Sequence, residues 1–210
     1  MAGQIGEISE PRFEYRSFGQ NFETAAKRMA RLSEPVPEKF WERHSDEIYI
    51  MSRTNDINNT KIRDGKMDIK TLVRTVDGFE QWNPLMKGTF PMPAEMLAKE
   101  VFPAFQVSMP ELERYMYSYD EFMEVIYKHP DLQAVRVHKM RSGYIVNTTI
   151  CETGVVLMNG SRVLTINIES TDLEMMKKTV REIGLEGVEN INYLQAIKRV
   201  IGMINKPLAN

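Results

Sequence analysis

The sequence predicts an α+β protein built on an antiparallel β-barrel or tunnel with helices packed outside it, and three observations predict it. Short segments alternate charged and apolar residues at period two, the mark of strands with one wet and one dry face. These segments fall into two sets, each accompanied by amphipathic helical stretches. The pentapeptide pattern Lys-x-Arg-x-Gly also occurs twice, as Lys61-Ile62-Arg63-Asp64-Gly65 and Lys139-Met140-Arg141-Ser142-Gly143, each entering a stretch that reads as a β-hairpin. Residues two apart on a strand share a face, so each copy sets two cations side by side. Like charges about 6 Å apart at an effective dielectric near 20 repel by roughly 3 kcal/mol. Four such cations call for carboxylates or a bound anion.

The elements follow in order. Arg12 to Phe18 alternates, with Arg12, Glu14 and Arg16 on one face and Phe13 and Tyr15 on the other. Asn21 is placed to cap a helix carrying Phe22, Ala25, Ala26, Met29 and Leu32, which Pro35 and Pro37 end. Glu47 to Ser52 and Thr60 to Arg63 read as strands, with Asp64-Gly65 turning into a third over Met67 to Arg74. Residues 77–117, with Trp82 and prolines at 84, 91, 93, 103 and 110, read as an irregular insertion between the two halves of one domain, containing a short helix over Pro93 to Val101. Ser118-x-x-Glu121 forms a capping box for the next helix, which stops at His129-Pro130.

The second β set is predicted as Ala134 to Arg141, a turn at Ser142-Gly143, Tyr144 to Glu152, Val155 to Met158, a turn at Asn159-Gly160, and Arg162 to Ser170. In the last strand Leu164, Ile166 and Ile168 face one way and Thr165, Asn167 and Glu169 the other. Thr171-x-x-Glu174 reads as a second capping box, with Gly184 as that helix's stop, and a final amphipathic helix runs from about Ile191 to Met203. If helices cover the apolar strand faces, the charged faces meet across a solvated interior lined by Lys61, Arg63, Lys70, Lys139, Arg141, Glu14 and Glu169.

Composition narrows the function. With 27 basic and 29 acidic residues the net charge is −2, so nothing pulls the whole chain toward nucleic acid or an anionic membrane, and nucleic acid is a disfavoured partner. An anion site must come from local clustering. The single Cys151 excludes an intrachain disulfide and reads as a small buried residue, and the first seven residues lack the basic and apolar regions of a signal peptide. No run of about 18 apolar residues suggests a membrane span, and the expected setting is the cytoplasm. His44, His129 and His138 share no metal-ligand spacing, which argues against zinc.

The order Phe13-Glu14-Tyr15-Arg16-Ser17-Phe18, Thr60-Lys61-Ile62-Arg63, Asp68-Ile69-Lys70, Val137-His138-Lys139-Met140-Arg141, Glu152, Asn167-Ile168-Glu169 resembles the triphosphate tunnel metalloenzymes of the CYTH superfamily over most of the chain outside 77–117. The resemblance implies an eight-stranded antiparallel tunnel that binds a triphosphate-containing substrate, whether inorganic triphosphate, a nucleotide or thiamine triphosphate, with a divalent metal. Carried over by position, Arg16, Lys61, Arg63, Lys70, Lys139 and Arg141 would contact phosphate oxygens. Glu14, Glu152 and Glu169 would be metal ligands, with Glu169 and Lys70 serving catalysis. The activity implied is a metal-dependent triphosphatase or phosphohydrolase using Mg2+ or Mn2+, with adenylate cyclase disfavoured because no nucleobase-reading constellation can be named.

Two departures bear on the metal. Where the family's first strand carries Glu-x-Glu-x-Lys, this chain has Arg12-x-Glu14-x-Arg16, and where its last strand ends acid-x-acid, this chain has Asn167-x-Glu169. The alternative reading is therefore a non-catalytic module that binds polyphosphate or a nucleotide after losing metal ligands.

Overall fold

The computed structural model describes residues 11–210, so the amino-terminal stretch read for a leader lies outside the described residues. Eight strands close into an antiparallel barrel: β1 (Arg12–Gly19), β2 (Arg43–Ser52), β3 (Asn58–Arg63), β4 (Lys66–Val76), β5 (Phe79–Thr89), β8 (Leu132–Val146), β9 (Thr149–Met158) and β10 (Ser161–Ser170). Their order around the barrel is β1-β10-β9-β8-β2-β3-β4-β5, and β5 returns to β1 through Arg12↔Trp82 and Glu14↔Glu80. Closure leaves no long strand edge to pair with another chain. The two-residue strands β6 (Met92–Pro93) and β7 (Met116–Tyr117) pair separately outside the barrel.

Local chemistry sets the turns. Asp64-Gly65, Asp77-Gly78 and Asn159-Gly160 all hold positive φ at both residues, the requirement of the tight hairpin turn that matches strand twist. The helix α4 (Tyr119–Lys128) starts at the expected capping box, with Ser118 accepting from the Glu121 N–H and Glu121 accepting from the Ser118 N–H. In α5 (Leu173–Ile183) the cap is Asp172 rather than Thr171: its carboxylate accepts from the N–H groups of Glu174 and Met175. A charged acceptor at the positive end of a helix outcompetes a hydroxyl one residue earlier.

Two expectations are corrected. The segment 77–117 is not irregular throughout: Phe79–Thr89 is a barrel strand, and the helical stretch extends from α2 (Ala94–Met96) through a π-helical turn (Leu97–Val101) to α3 (Phe102–Phe105). Pro84 fits inside β5 because it borders a bulge: β5 has an extra residue, Leu85, between the pairs Ile69↔Met86 and Lys70↔Pro84, and bulges are where strands admit proline. The predicted turn at Ser142-Gly143 does not exist either. β8 runs unbroken for 15 residues, and the chain reverses at Asn147-Thr148.

Three apolar clusters hold the layers together. α1 (Glu23–Leu32) and α5 pack Met29, Met176, Val180 and Ile183 onto Phe13, Tyr15, Ile166 and Ile168 on the outer face of β1 and β10. The 94–105 helical run and α4 cover Ile50, Ile62, Met67 and Ile69 on the opposite outer wall. The third cluster is inside. The last helix, α6 (Tyr193–Val200), packs Leu194 and Ile197 against Phe18, Tyr49, Met51, Val135, Val137, Val156, Met158 and Val163, the inward-facing residues of one barrel end. Burying each such side chain is worth about 1.5–3 kcal/mol, so this end of the lumen is a packed core. The solvated interior is thereby confined to the other end, making a cup of the expected tunnel.

Candidate functional site

The open end of the barrel holds a cavity of about 440 Å³. Its walls carry seven cationic side chains, Arg12, Arg16, Arg43, Lys61, Lys70, Lys139 and Arg141, and three carboxylates, Glu14, Glu152 and Glu169. Strand register explains why they meet. Glu14 and Arg16 on β1 lie opposite Glu169 and Asn167 on β10, Asn167 lies opposite Glu152 on β9, and Arg141 on β8 lies opposite Arg43 on β2. Residues paired directly across an antiparallel ladder point to the same face.

The floor is built around Lys139. Its buried Nζ donates to Glu47 Oε2 at 2.7 Å and to the Tyr49 hydroxyl at 2.7 Å, and sits 3.9 Å from the centre of the Tyr193 ring. Tyr193 stacks on Tyr49 and also carries the Arg16 guanidinium over its face at 4.9 Å. Burial pulls the Lys139 ammonium well below the usual lysine range, with Glu47 offsetting part of that. Burial would raise Glu47, but Lys139, Lys61 and Arg63 outweigh it and hold the carboxyl at about 2. This buried pair anchors the aromatic floor.

Above the floor Arg16 lies among the acids. Its Nε donates to Glu14 Oε1 at 2.6 Å, while its Nη2 is 3.7 Å from Glu152 and 3.9 Å from Glu169. Glu152 is also held by Arg43 and, at 3.6 Å, by Arg141. Burial would raise Glu14, yet Arg16, Lys70 and Lys61 keep it below the ordinary carboxylate range. Glu169 is raised, first by burial and then by Glu14 opposite it, with Arg16 and Lys70 opposing. Lys61 is lowered by burial despite Glu47 and Asp68 nearby. Lys70 and Arg12 line the cavity without an ion pair to another described residue.

The expected site residues thus converge with one exception. Arg16, Lys61, Lys70, Lys139, Arg141, Glu14, Glu152 and Glu169 all line the cavity. Arg63 does not: it stands half-exposed with Nη1 3.4 Å from Glu47. Lys139 lines the cavity but already has two partners. Arg43, Arg12 as a cavity cation, Glu47 and Tyr193 were not anticipated. The signal for two of them was present in Arg43-x-Ser45-x-Glu47-x-Tyr49, a polar alternation on the strand that joins the two Lys-x-Arg strands. Cys151 is fully buried beneath the wall, where burial pushes its thiol up to about 11. His138 lies on the outer face with Nδ1 2.8 Å from Asp46.

The carboxylates define what metal the site could take. Glu14 and Glu169 face each other, and Asn167 Oδ1 beside them is buried without a hydrogen-bond partner. Two carboxylates with a neutral oxygen suit one magnesium-type ion, which normally takes its remaining ligands from water and phosphate. Glu152 is committed to three arginines, and among the described residues no group of three or more His, Cys, Asp or Glu side chains is disposed around a common point for a metal.

No protein-family model and no curated protein matches the chain. Among solved structures it is similar to a Bacillus halodurans protein described as a candidate adenylate cyclase, with TM-score 0.49 and 11% identity over 90% of this chain and 98% of that one. A Pyrococcus furiosus conserved hypothetical protein overlaps with TM-score 0.47 and 14% identity, covering 87% and 98%. A Hippeastrum candidate adenylyl cyclase, described as revealing a dominant triphosphatase activity, overlaps with TM-score 0.46 and 9% identity, covering 90% and 96%. Overlap at this level says nothing of this chain's chemistry, which rests on its own cavity. No helix among the described residues is long and apolar enough to cross a membrane.

Proposed function

We propose that the cavity binds the triphosphate group of a small molecule and hydrolyses it with one divalent metal, magnesium or manganese. The observation that carries this reading is that the seven cations on the walls of one partly enclosed cavity still outnumber the carboxylates once Glu47 is set against Lys139 and Asp68 against Lys61. Such an excess is costly to assemble without an anion to receive it. Arginines offer planar, paired donors to phosphate oxygens, and lysines offer compact charge. Lys61, Lys70, Arg12, Arg43 and Arg141 hold the phosphates from the walls, with Arg16 reaching them from below. Glu14 and Glu169 would hold the metal, which when bound neutralises phosphate charge and polarises the phosphorus centre. Without a divalent cation, burial and Glu14 raise Glu169; a divalent metal between the two carboxylates would relieve that repulsion and favour the ionised form of both. Phosphoryl transfer needs mainly positioning and charge stabilisation, both of which this wall chemistry supplies.

The test is incubation with tripolyphosphate, ATP and thiamine triphosphate, each with magnesium, manganese or chelator, followed by ion-exchange separation of products. Metal-dependent cleavage that is lost in Glu169→Gln and reduced at least tenfold in Lys61→Ala and Arg141→Ala is the expected result. Intact substrates under every condition would overturn hydrolysis. A second reading, a polyphosphate- or nucleotide-binding module without turnover, is favoured by one observation: Arg16 lies where it already contacts both Glu14 and Glu169. Tight binding that ignores chelator, with no products, would select it.

A further inference from the structure

On the back of the wall formed by β2 and β8, the barrel brings together two histidines that no spacing along the chain links. Arg43 on β2 and Lys139 and Arg141 on β8 point into the cavity, so strand alternation turns His44, Asp46 and His138 outward. The register sets Asp46 directly opposite His138, with His44 two residues away on the same face. The two imidazole ring centres stand 6.0 Å apart. Each ring has a carboxylate on one nitrogen: His138 Nδ1 is 2.8 Å from Asp46 Oδ1, and His44 Nε2 is 2.7 Å from Glu42 Oε1. The other nitrogens, His138 Nε2 and His44 Nδ1, have no hydrogen-bond partner among the described residues. A carboxylate on the far nitrogen fixes the tautomer and orientation of an imidazole and makes it a stronger metal ligand.

We propose that His44 Nδ1 and His138 Nε2 together bind a transition-metal dication of the zinc, nickel or copper(II) class, with Glu42 and Asp46 orienting the rings and water completing the coordination. Metal–nitrogen bonds of about 2.0–2.1 Å put two imidazole centres roughly 5–6 Å apart on a shared ion, so a small turn of either side chain closes the site. The paired strands hold both rings on one face before the ion arrives, so the second imidazole binds as an intramolecular ligand and the pair outperforms either ring alone. The next outward residue of β8 is the cation Arg136, which the carboxylates of Asp46 and Glu42 more than offset. Imidazole nitrogen suits these ions, whereas magnesium prefers oxygen, so the outer patch and the cavity select different metals.

Calorimetric titration of the untagged chain with zinc and with copper(II) tests this, on the wild type, His44→Ala, His138→Ala, Asp46→Asn and, as a control for the cavity carboxylates, Glu169→Gln. The two rings are 51% and 34% exposed, so their replacement leaves the fold intact. The expected result is one ion held at this patch, with affinity reduced more than about tenfold in either histidine variant, about tenfold in Asp46→Asn and not at all in Glu169→Gln. Copper(II) on the wild type should show coupling to two imidazole nitrogens by electron paramagnetic resonance, and to one in either histidine variant. No binding by the wild type, affinity unmoved in either histidine variant, coupling to a single nitrogen in the wild type, or loss of the ion in Glu169→Gln overturns the proposal. All of these outcomes leave the phosphate reading of the cavity standing.

Discussion

The two ends of the barrel interior are made by the same strands and the same alternation, yet one is a sealed core and the other a charged cup. Along the inward face of β8 the residues run Val135, Val137, Lys139, Arg141; along β10 they run Val163, Thr165, Asn167, Glu169; along β1, read backward, Phe18, Arg16, Glu14, Arg12. Each strand passes from apolar to charged in two or three inward positions. What separates the ends is α6, which supplies apolar partners to one and the Tyr193 ring to the boundary. A polar lumen is stable only where water or a ligand can reach it. The helix plug fixes how deep that region extends.

The boundary is where the comparison breaks most easily. Glu47→Ala leaves the Lys139 ammonium buried beside Tyr49 without its carboxylate, a loss expected at about 3–5 kcal/mol in urea unfolding. Adding Lys139→Met to Glu47→Leu should recover most of it, because the pair is then replaced by apolar volume. Recovery of nothing would mean that the charges themselves hold the floor. At the sealed end, Leu194→Ala should cost about 2–5 kcal/mol and loosen α6.

Acid dissects the same boundary. The Glu47 carboxyl sits at about 2 in the fold against an ordinary 4.5, so the stability it contributes is complete above pH 4.5 and is lost as pH falls toward 2. Unfolding followed by circular dichroism should therefore show an acid-sensitive step in that window that Glu47→Gln removes. Glu169 has the opposite sign. Its carboxyl is raised by burial and by Glu14, so its charged form opposes folding at neutral pH, and that opposition is relieved as pH falls through its raised pKa. Glu169→Gln should raise the melting temperature modestly while abolishing turnover, the trade expected where function holds like charges together.

Much of the architecture was legible. The period-two alternation of Arg12 to Phe18 and Arg162 to Ser170 showed which face was wet, and the Asp-Gly and Asn-Gly pairs marked true hairpins. What failed was glycine and proline read without their surroundings. The two Lys-x-Arg-x-Gly copies look alike, but Gly65 turns at φ +68 whereas Gly143 stays in mid-strand because Phe40 needs the space its missing Cβ leaves. Pro84 concealed a strand because the bulge that tolerates it, with Leu85 as the extra residue of β5, shows only in the pairing with β4. Thr171 was preferred to Asp172 as a cap on motif alone. Of the site, eight of nine expected residues line the cavity, since strand order carried them, while Arg63, half-exposed, is taken up by Glu47 instead. Tyr193 could not be found from a helix pattern, because its role depends on where α6 docks.

Gly143→Ala is the smallest of the expected effects and sharpens the reading of that misread glycine. The added methyl should displace Phe40 by a few tenths of an ångström and cost about 1 kcal/mol or slightly more, with strand β8 intact by amide exchange. A turn-forming glycine would instead show fraying at 142–143.

The central claim is that the charged end is built to hold a phosphate chain. It is tested most directly by thermal unfolding of the wild type, Lys70→Ala and Arg141→Ala with and without excess tripolyphosphate in chelator. Ligand at 100 times its dissociation constant should add about 2.7 kcal/mol of stability, seen as a clear rise in melting temperature. The account predicts that rise in the wild type and its reduction in both variants. An unchanged wild-type melting temperature, or equal protection of all three proteins, would contradict it.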